Sequence, residues 1–170
     1  MNIKKLVLMA FLASLMNLYS QDSKSFKRVF LDAEYYFITE NYDTALSIYE
    51  DLLIMDPDNS NLRDLSGYCC LKIGSNQSKA FNYLEEALLD VDPSYKEGSY
   101  RERHAPPEVY FLLARAYHIQ NAFKKAIDLY ERFRDLSLSQ KFADIEFVNA
   151  QIKSCELGMS MINDPIKVKF

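Results

Sequence analysis

The sequence predicts an all-α protein built from three helix pairs and one further helix. The pattern is clearest from Pro106 to Leu136, where two short amphipathic segments flank a turn. Apolar residues recur there at the three- and four-residue spacing of one helical face. They are Tyr110, Leu113, Ala114 and Tyr117 on the first segment, and Ala126, Ile127, Tyr130 and Phe133 on the second. Similar pairs occur earlier in the chain, and because neither helix buries its stripe alone, successive pairs are expected to stack.

Residues 1–20 have the pattern of an export signal. Lys4 and Lys5 precede an apolar run from Leu6 to Ala13, and a more polar end follows. The run is shorter than the roughly 20 apolar residues that a membrane span needs. The sequence therefore predicts a signal peptide over 1–20 and an exported, periplasmic protein. The alternative is a buried amphipathic N-terminal helix.

The first helix pair is predicted over residues 24–58. Its apolar stripes are formed by Val29, Ala33 and Tyr36 on the first helix and by Ala45, Tyr49 and Leu52 on the second. Asp32 interrupts the first stripe beside Leu31, so either a slight rotation of this helix or loose packing of its first turn is expected. Pro57 then ends the second helix, and Asn59 is a suitable N-cap for the next one.

The second helix pair is predicted over residues 60–93. The first helix contributes Gly67 and Cys70 to the interface, and the second contributes Ala80, Leu84 and Ala87. The turn between them is one residue longer than in the other pairs, which leaves both helix faces intact because insertions fall in loops.

A polar linker from Asp92 to Pro107 follows, and it is longer than the few residues that usually join helix pairs. One interpretation is a recognition loop that presents aromatic and basic side chains to a partner. Those side chains are Tyr95, Tyr100, Arg101 and Arg103. The other interpretation is a solvated loop, with Tyr95 or Tyr100 packed against the helices. The sequence leaves both open.

The third helix pair is predicted over residues 106–138 and a capping helix over 139–162. Asn121 occupies the turn of the third pair and tolerates the left-handed conformation that such a turn requires. The stripe of the capping helix is formed by Ile145, Val148, Ile152, Cys155, Met159 and Ile162. This helix is expected to cover the apolar end of the stack. Residues 163–170 are predicted to be a tail or the first strand of a further domain.

The three pairs resemble the tetratricopeptide repeat, whose signature is a large aromatic, a leucine, a small residue and a tyrosine on helix A, then an alanine and an aromatic on helix B. The third pair matches it with Tyr110, Leu113, Ala114, Tyr117, Ala126 and Tyr130. Asn121 replaces the turn glycine, and Leu138 stands where the closing proline would fall. The resemblance implies a right-handed superhelix of three hairpins covering residues 24–162, with the first helix of each hairpin lining a concave groove.

Ten side chains are predicted to line this groove and to bind a protein or peptide. They are Lys27, Glu34, Phe37, Asn61, Tyr68, Lys72, Glu108, Phe111, Arg115 and His118. Aromatic and arginine side chains mixed with charges suit such a partner, because they combine contact area with oriented hydrogen bonds. Phe30 falls on the same face, and the alternative for Phe30 and Phe111 is a place in the core. The set does not match the lysine, asparagine and arginine positions by which chaperone-binding relatives hold a terminal carboxylate.

Composition and motifs argue against other functions. The net charge of −4 becomes about −6 without residues 1–20, which disfavours nucleic-acid binding. The sequence contains no phosphate-binding glycine loop, nucleophile elbow or zinc-protease motif, so no enzyme activity, cofactor or metal site is predicted. Cys70 and Cys155 are interpreted as core residues rather than a disulfide, and Cys69 beside Cys70 is too close for an unstrained bridge.

A closer resemblance is to exported envelope proteins of the Bacteroidota, through the segments ERHAPPEVYFLLARAYHIQNAFKKAIDLYERF and VNAQIKSCELGMSMINDPIKV. In those proteins a TolB-like propeller and an OmpA-like peptidoglycan-binding domain follow the repeats, and some belong to the type IX secretion apparatus. The resemblance implies a periplasmic scaffold associated with the outer membrane. An alternative is a truncated structural fragment whose groove is filled by its own downstream domains.

Overall fold

The computed structural model describes residues 25–74, 77–140 and 143–163. Its helices are α1 (25–38), α2 (Tyr42–Met55), α3 (Ser60–Ile73), α4 (Gln77–Ala87), α5 (Glu108–Ile119), α6 (Phe123–Gln140) and α7 (Ile145–Asn163). The pairs α1/α2, α3/α4 and α5/α6 form three hairpins in a right-handed superhelix, and α7 packs on α6 at its end. The predicted fold class is confirmed. The predicted signal peptide (1–20) and nearly all of the predicted tail (163–170) lie outside the described residues.

Apolar stripes of neighbouring helices bury one another along the stack. Tyr49 of α2 is fully buried against Phe30 of α1 and Leu62 of α3. Further along, Leu84 of α4 packs with Leu113 of α5 in a second cluster. The third cluster joins α5, α6 and α7 and contains Ala114, Phe123, Ala126, Tyr130, Phe133, Val148, Ile152 and Cys155. Burial of these faces stabilises the stack, because each large apolar side chain contributes about 1.5–3 kcal/mol.

Helix α1 is rotated, which is one of the two arrangements that Asp32 led us to expect. Phe30 is 1% exposed and lies in the core, whereas Val29 is only half-buried. Asp32 and Leu31 both point to solvent. The assignment of Phe30 to the groove is therefore wrong, and its alternative assignment to the core is right.

Close approach of α3 and α4 depends on a residue without a side chain. A Cβ atom on Gly67 would lie 2.6 Å from Cγ and 2.7 Å from Cδ2 of Leu84, which is far inside van der Waals contact. Leu84 is fully buried and held by its neighbours. Gly67 thus sets the spacing of the second hairpin, in agreement with its predicted place at the interface.

The last helix begins later than predicted. Helix α6 continues to Gln140, and α7 starts at Ile145 rather than at Ser139. The hydroxyls of Ser137 and Ser139 donate to carbonyls of the preceding turn, so neither residue interrupts α6. The Asp144 carboxylate instead caps α7 by accepting from the backbone N–H groups of Glu146 and Phe147. At the far end Ile162 is exposed, contrary to the predicted stripe.

The three cysteines are free and buried. Cys69 belongs to the first cluster and Cys155 to the third, and Cys70 is 2% exposed. The interpretation of Cys70 and Cys155 as core residues is confirmed. None of the described helices has the length and apolar character needed to cross a membrane.

Two very different connections join the hairpins. Residues 56–59 link α2 to α3, and residues 88–107 link α4 to α5. The long connection is closed at its base by a parallel bridge between Val91 and Ala105. The Ala105 N–H donates to the Asp90 carbonyl at 2.8 Å, and the Asp92 N–H donates to the Ala105 carbonyl at 3.1 Å. The excursion between them is therefore a closed loop, which we call the roof loop (residues 92–104).

Candidate functional site

The first helix of each hairpin, α1, α3 and α5, lines the groove. The structure brings the predicted groove residues onto this surface with different exposure. Lys27, Lys72, Glu108 and Arg115 are exposed, Glu34, Phe37, Tyr68, Phe111 and His118 are half-buried, and Asn61 is 1% exposed.

The roof loop folds back over the start of α3. The Tyr95 hydroxyl donates to Asn61 Oδ1 at 2.8 Å, and the Asn61 backbone N–H donates to the Arg103 carbonyl at 3.1 Å. These bonds explain why Asn61, predicted as a free groove residue, is buried. Its side chain holds the loop in place and is not available to a ligand, so this part of the groove prediction is wrong.

The remaining predicted contact residues of the loop are Tyr100, which faces the helices, and two exposed arginines. Tyr100 packs against the first core cluster, and Nζ of Lys27 lies 5.3 Å from its ring centroid. Arg101 donates from Nε to the Tyr100 hydroxyl at 2.9 Å. Arg103 forms an ion pair with Asp56 at 2.6 Å. Of the two interpretations of the loop, the structure agrees with the one in which its tyrosines pack against the helices. Arg101 and Arg103 are exposed to solvent.

Beneath the roof loop lies a cavity of about 650 Å³, which we call the central pocket. Its walls come from α1, α3, α5 and the loop. The aromatic walls are Phe37, Tyr68 and Phe111, and the lining carboxyl groups are Glu34, Asp64, Glu97 and Glu108. Arg115 adds a positive charge at the α5 side. The volume falls within the ~300–1,000 Å³ of ligand pockets in proteins.

Asp64 is a site residue that the sequence analysis missed. It is 6% exposed, and its buried Oδ1 atom has no hydrogen-bond partner among the residues that the structure describes. Burial raises the pKa of Asp64 to about 8, and the nearby Glu108 carboxylate adds to the rise. A signal was available, because Asn61, Asp64 and Tyr68 follow the spacing of one helical face.

Glu34 is the second unusual carboxyl group of the pocket. It accepts a hydrogen bond of 2.6 Å from the Tyr49 hydroxyl, which rises from the core below. Burial raises the pKa of Glu34, the Tyr49 hydrogen bond opposes that rise, and Glu97 adds to it. The pKa of Tyr49 is raised as well, by burial and by its bond to Glu34. Two carboxyl groups, Glu34 and Asp64, are thus held partly out of water on facing helices.

An aromatic cluster borders the pocket between α1, α2 and α3. The rings of Phe37 and Tyr68 lie 5.1 Å apart, and Tyr42 and Tyr68 are 5.9 Å apart. Nζ of Lys72 lies 5.3 Å from the Tyr68 centroid and 5.8 Å from that of Tyr42. Such contacts hold the rings in place before any partner arrives, so little ordering entropy is lost on binding.

A smaller cleft of about 220 Å³ continues the groove between the second and third hairpins. Its floor is apolar, with Leu71, Phe81 and Leu112, while Lys72 and Arg115 line it as well. An open depression of about 630 Å³ follows between α5, α6 and α7. His118 lies there, with its Nε2 atom 3.5 Å from Ser154 Oγ and its ring 5.7 Å from that of Phe123.

Phe111 belongs to the core as much as to the groove. Its ring lies 5.3 Å from the rings of both Tyr130 and Phe133 and 5.9 Å from that of Phe147. The alternative considered for Phe111, partial burial, is therefore correct. Within the described ranges, no group of three or more histidine, cysteine, aspartate or glutamate side chains is placed to hold a metal ion.

Comparison with known proteins supports the fold. No family model matches the chain, and no curated protein sequence matches it. Among solved structures, the Sgt2 TPR domain from Aspergillus fumigatus is 16% identical with a TM-score of 0.63, covering 86% of this chain and 88% of that chain. SycD, a type III secretion translocator chaperone from Yersinia enterocolitica, is 16% identical with a TM-score of 0.65, covering 82% and 88%.

A third similar structure is the TPR2B domain of yeast Sti1 in complex with pHsp70, at 13% identity and a TM-score of 0.62, covering 78% of this chain and 96% of that chain. At these identities the likeness shows the fold and not a shared activity. The protein therefore has the fold of a tetratricopeptide-repeat domain. Its groove differs from an open one because the roof loop crosses it.

Proposed function

We propose that this protein is a non-catalytic interaction module that binds a peptide or a segment of a partner protein in its concave groove. The observation that supports this most is a continuous inner surface of preformed aromatic and charged side chains on three successive hairpins. Surfaces of this kind provide large contact area at low cost in conformational entropy. The proposed groove contacts are Phe37, Tyr68, Lys72, Glu108, Phe111, Arg115 and His118, joined by Asp64.

The proposed setting is the periplasm, in a cell-envelope or secretion assembly associated with the outer membrane. Support comes from the export pattern of residues 1–20 and from the resemblance to Bacteroidota envelope proteins of the OmpA-like type. Fusing residues 1–20 to a reporter that is active only after export tests the setting. We expect an active reporter that has been cleaved after Ser20. A reporter that remains inactive and uncleaved would contradict export.

Groove binding is tested by selecting peptides from a displayed library of random dodecamers on the immobilised protein. The test variant combines Tyr68→Ala, Arg115→Ala and His118→Ala on the inner helices. The matched control combines Asp51→Ala, Asn82→Ala and Arg132→Ala, which are exposed residues of α2, α4 and α6. We expect selected peptides to bind the control as they bind the natural sequence and to lose at least about tenfold in affinity on the inner-face variant. Equal binding to both variants would contradict the proposal.

A second candidate is a structural role in which neighbouring domains of a longer protein cover the repeats. The observation that favours it is the exposed apolar surface of α7, where Leu157 and Met161 are 56% and 60% exposed. Producing the repeats together with the chain encoded directly downstream tests this role. Stable association that is lost in Leu157→Ser/Met161→Ser would support it, and independent behaviour of the two products would exclude it.

A further inference from the structure

The central pocket has an unbalanced set of charges. Four carboxyl groups line it, on Glu34, Asp64, Glu97 and Glu108, and Arg115 is the guanidinium group that lines it with them. Two other arginines nearby are paired elsewhere. Arg103 binds Asp56 at 2.6 Å, and Arg63 binds Glu86 at 2.9 Å. The pocket thus concentrates carboxyl groups in a partly enclosed space, where electrostatic interactions are stronger than in water.

Asp64 is the most deeply buried of these four carboxyl groups. Asp64 lines the pocket from α3, and its buried Oδ1 atom accepts no hydrogen bond within the described part of the chain. A buried acceptor without a partner is unfavourable, and an apolar side chain of similar size would avoid that cost. A ligand that donates to Oδ1 would satisfy the missing bond.

We propose that the central pocket accepts a lysine or arginine side chain of the bound peptide, with Asp64 as the acceptor at its base. This inference rests on the proposed groove function and adds a ligand preference to it. Glu34 and Glu108 face the same space from α1 and α5, so they would surround the cationic head group. The exposed Glu108 stands at the mouth and is suited to attract the charge on its approach.

The walls of the pocket suit the alkyl part of such a side chain. Phe37, Tyr68 and Phe111 present ring surfaces, against which the apolar stem of lysine or arginine packs. Their faces also attract a cation. A bare metal ion fits this environment poorly, because the cavity of about 650 Å³ is far larger than an ion and largely aromatic. The combination of aromatic walls and carboxyl groups therefore favours an organic cation carried by a peptide.

Binding of a cation should be linked to proton release. The groups that face Asp64 are Glu34 from α1, Tyr95 and Glu97 from the roof loop, and Glu108 and Arg115 from α5. Since burial raises the pKa of Asp64, its carboxyl group is largely protonated at pH 7 in the free protein. An arriving cation stabilises the ionised form and displaces that proton. Calorimetry in two buffers of different ionisation enthalpy measures the release directly.

The test uses peptides obtained by the library selection described above, on the full chain after removal of residues 1–20. Each lysine or arginine of a selected peptide is replaced by methionine, which keeps a long apolar stem. The affinities of both peptides are measured for the natural protein and for Asp64→Asn. We expect one basic position at which the replacement costs at least about tenfold on the natural protein and less than about threefold on Asp64→Asn.

The possible outcomes separate this proposal from the groove function. A peptide that needs the inner face could lose the same factor in affinity on both proteins when its basic residue is replaced, or could bind without any basic residue. Either result would overturn the cation site and leave groove binding intact. Failure to select any peptide that depends on the inner face would overturn both. If Asp64→Asn does not fold, Glu108→Gln at the exposed mouth replaces it, with an expected loss of about two- to fivefold in the affinity for the basic peptide alone.

Discussion

The two connections both join one hairpin to the next, but they affect the groove in opposite ways. Residues 56–59 pass directly from α2 to α3, and none of them lines the central pocket. Residues 88–107 make an excursion that returns across the start of α3 before α5 begins. The comparison shows that one insertion in a repeat array can turn part of an open groove into a roofed pocket without disturbing the helix stack.

The short connection is stabilised by Asn59, the residue that caps α3. Asn59 is 1% exposed, its Oδ1 accepts from the Leu62 N–H at 3.1 Å, and its Nδ2 donates to Asp56 at 3.0 Å. The long connection is held by contacts with residues distant in sequence. These are chiefly the hydrogen bond from Tyr95 to Asn61 and the ion pair between Arg103 and Asp56. Both connections therefore meet at the N-terminus of α3, so the position of α3 decides the shape of the pocket.

The largest effect is expected from displacing α3 itself. Gly67→Val places side-chain atoms where Leu84 already lies, since even a Cβ atom would approach Leu84 Cγ to 2.6 Å. We expect a loss of about 3 kcal/mol in the free energy of unfolding, measured by urea denaturation. Ser47→Val on the exposed face of α2 is the control and should change stability by less than ~0.5 kcal/mol. Equal changes in the free energy of unfolding for the two variants would show that the α3/α4 contact is looser than described.

The next effect is a gain in stability from removing the buried carboxyl group. Because the pKa of Asp64 is raised in the folded state, folding binds a proton that the unfolded chain has released above about pH 4. Stability is therefore lost as the pH rises from about 4 towards 8. Asp64→Asn removes this loss, and we expect it to be nearly as stable as the natural protein at pH 4 and more stable at pH 8 by at least about 1.4 kcal/mol, the equivalent of one pKa unit.

Urea denaturation of both proteins at several pH values checks this prediction. Glu108→Gln is a useful comparison, because Glu108 is exposed. An Asp64→Asn variant that is less stable at pH 8 than the natural protein would show that the carboxylate has a structural partner.

A smaller effect is expected at the short connection. Asn59→Ala removes the cap of α3 and the bond to Asp56, and we expect a loss of about 1–2 kcal/mol. Asn41→Ala removes the corresponding cap of α2, where the bond to Thr44 is longer, at 3.4 Å, and exposed. Its cost should be about 0.5 kcal/mol. If thermal or urea denaturation gave the reverse order, burial would not be what strengthens the α3 cap.

The smallest effect is expected from the roof loop. Tyr95→Phe keeps the ring and removes only the hydroxyl that bonds Asn61 at 2.8 Å, so we expect a loss of about 1 kcal/mol. Tyr35→Phe, on the solvent side of α1 where the side chain is 64% exposed, should be nearly neutral. Hydrogen exchange of the Asn61 amide should also accelerate in Tyr95→Phe. An unchanged exchange rate would mean that the loop does not depend on this bond.

Much of the fold follows from the sequence because helical periodicity and small residues are local signals. The stripes of the second and third hairpins, the glycine at the α3/α4 contact and the left-handed turn residue are all where the pattern predicts them. Asn121 has φ 58°, as expected for the residue that replaces the turn glycine. The start of α7 was missed because the capping helix was placed at residue 139, directly after the third pair, whereas α6 continues to Gln140 and the hydroxyls of Ser137 and Ser139 bond back to its preceding turn.

The groove was harder to predict because exposure depends on segments that are distant in sequence. From their places on the first helix of each pair, Tyr68, Glu108 and Arg115 were correctly predicted to lie on one surface. Those places could not show that the hydroxyl of Tyr95, 34 residues further along, would form a hydrogen bond with the Asn61 side chain. Asp64 was overlooked because a charged residue on an inner face suggests solvent contact, and its burial arises only when the roof loop and α5 close over it.

The most direct test of the roofed pocket is a pH titration of the Asp64 carboxyl carbon by NMR, assigned by its disappearance in Asp64→Asn. A midpoint near pH 8, moving towards 4 when Tyr95→Ala loosens the roof loop, is the result we predict. A midpoint near pH 4 in the natural protein would contradict the account, because Asp64 would then be hydrated or paired and the pocket would not hold an unsatisfied acid.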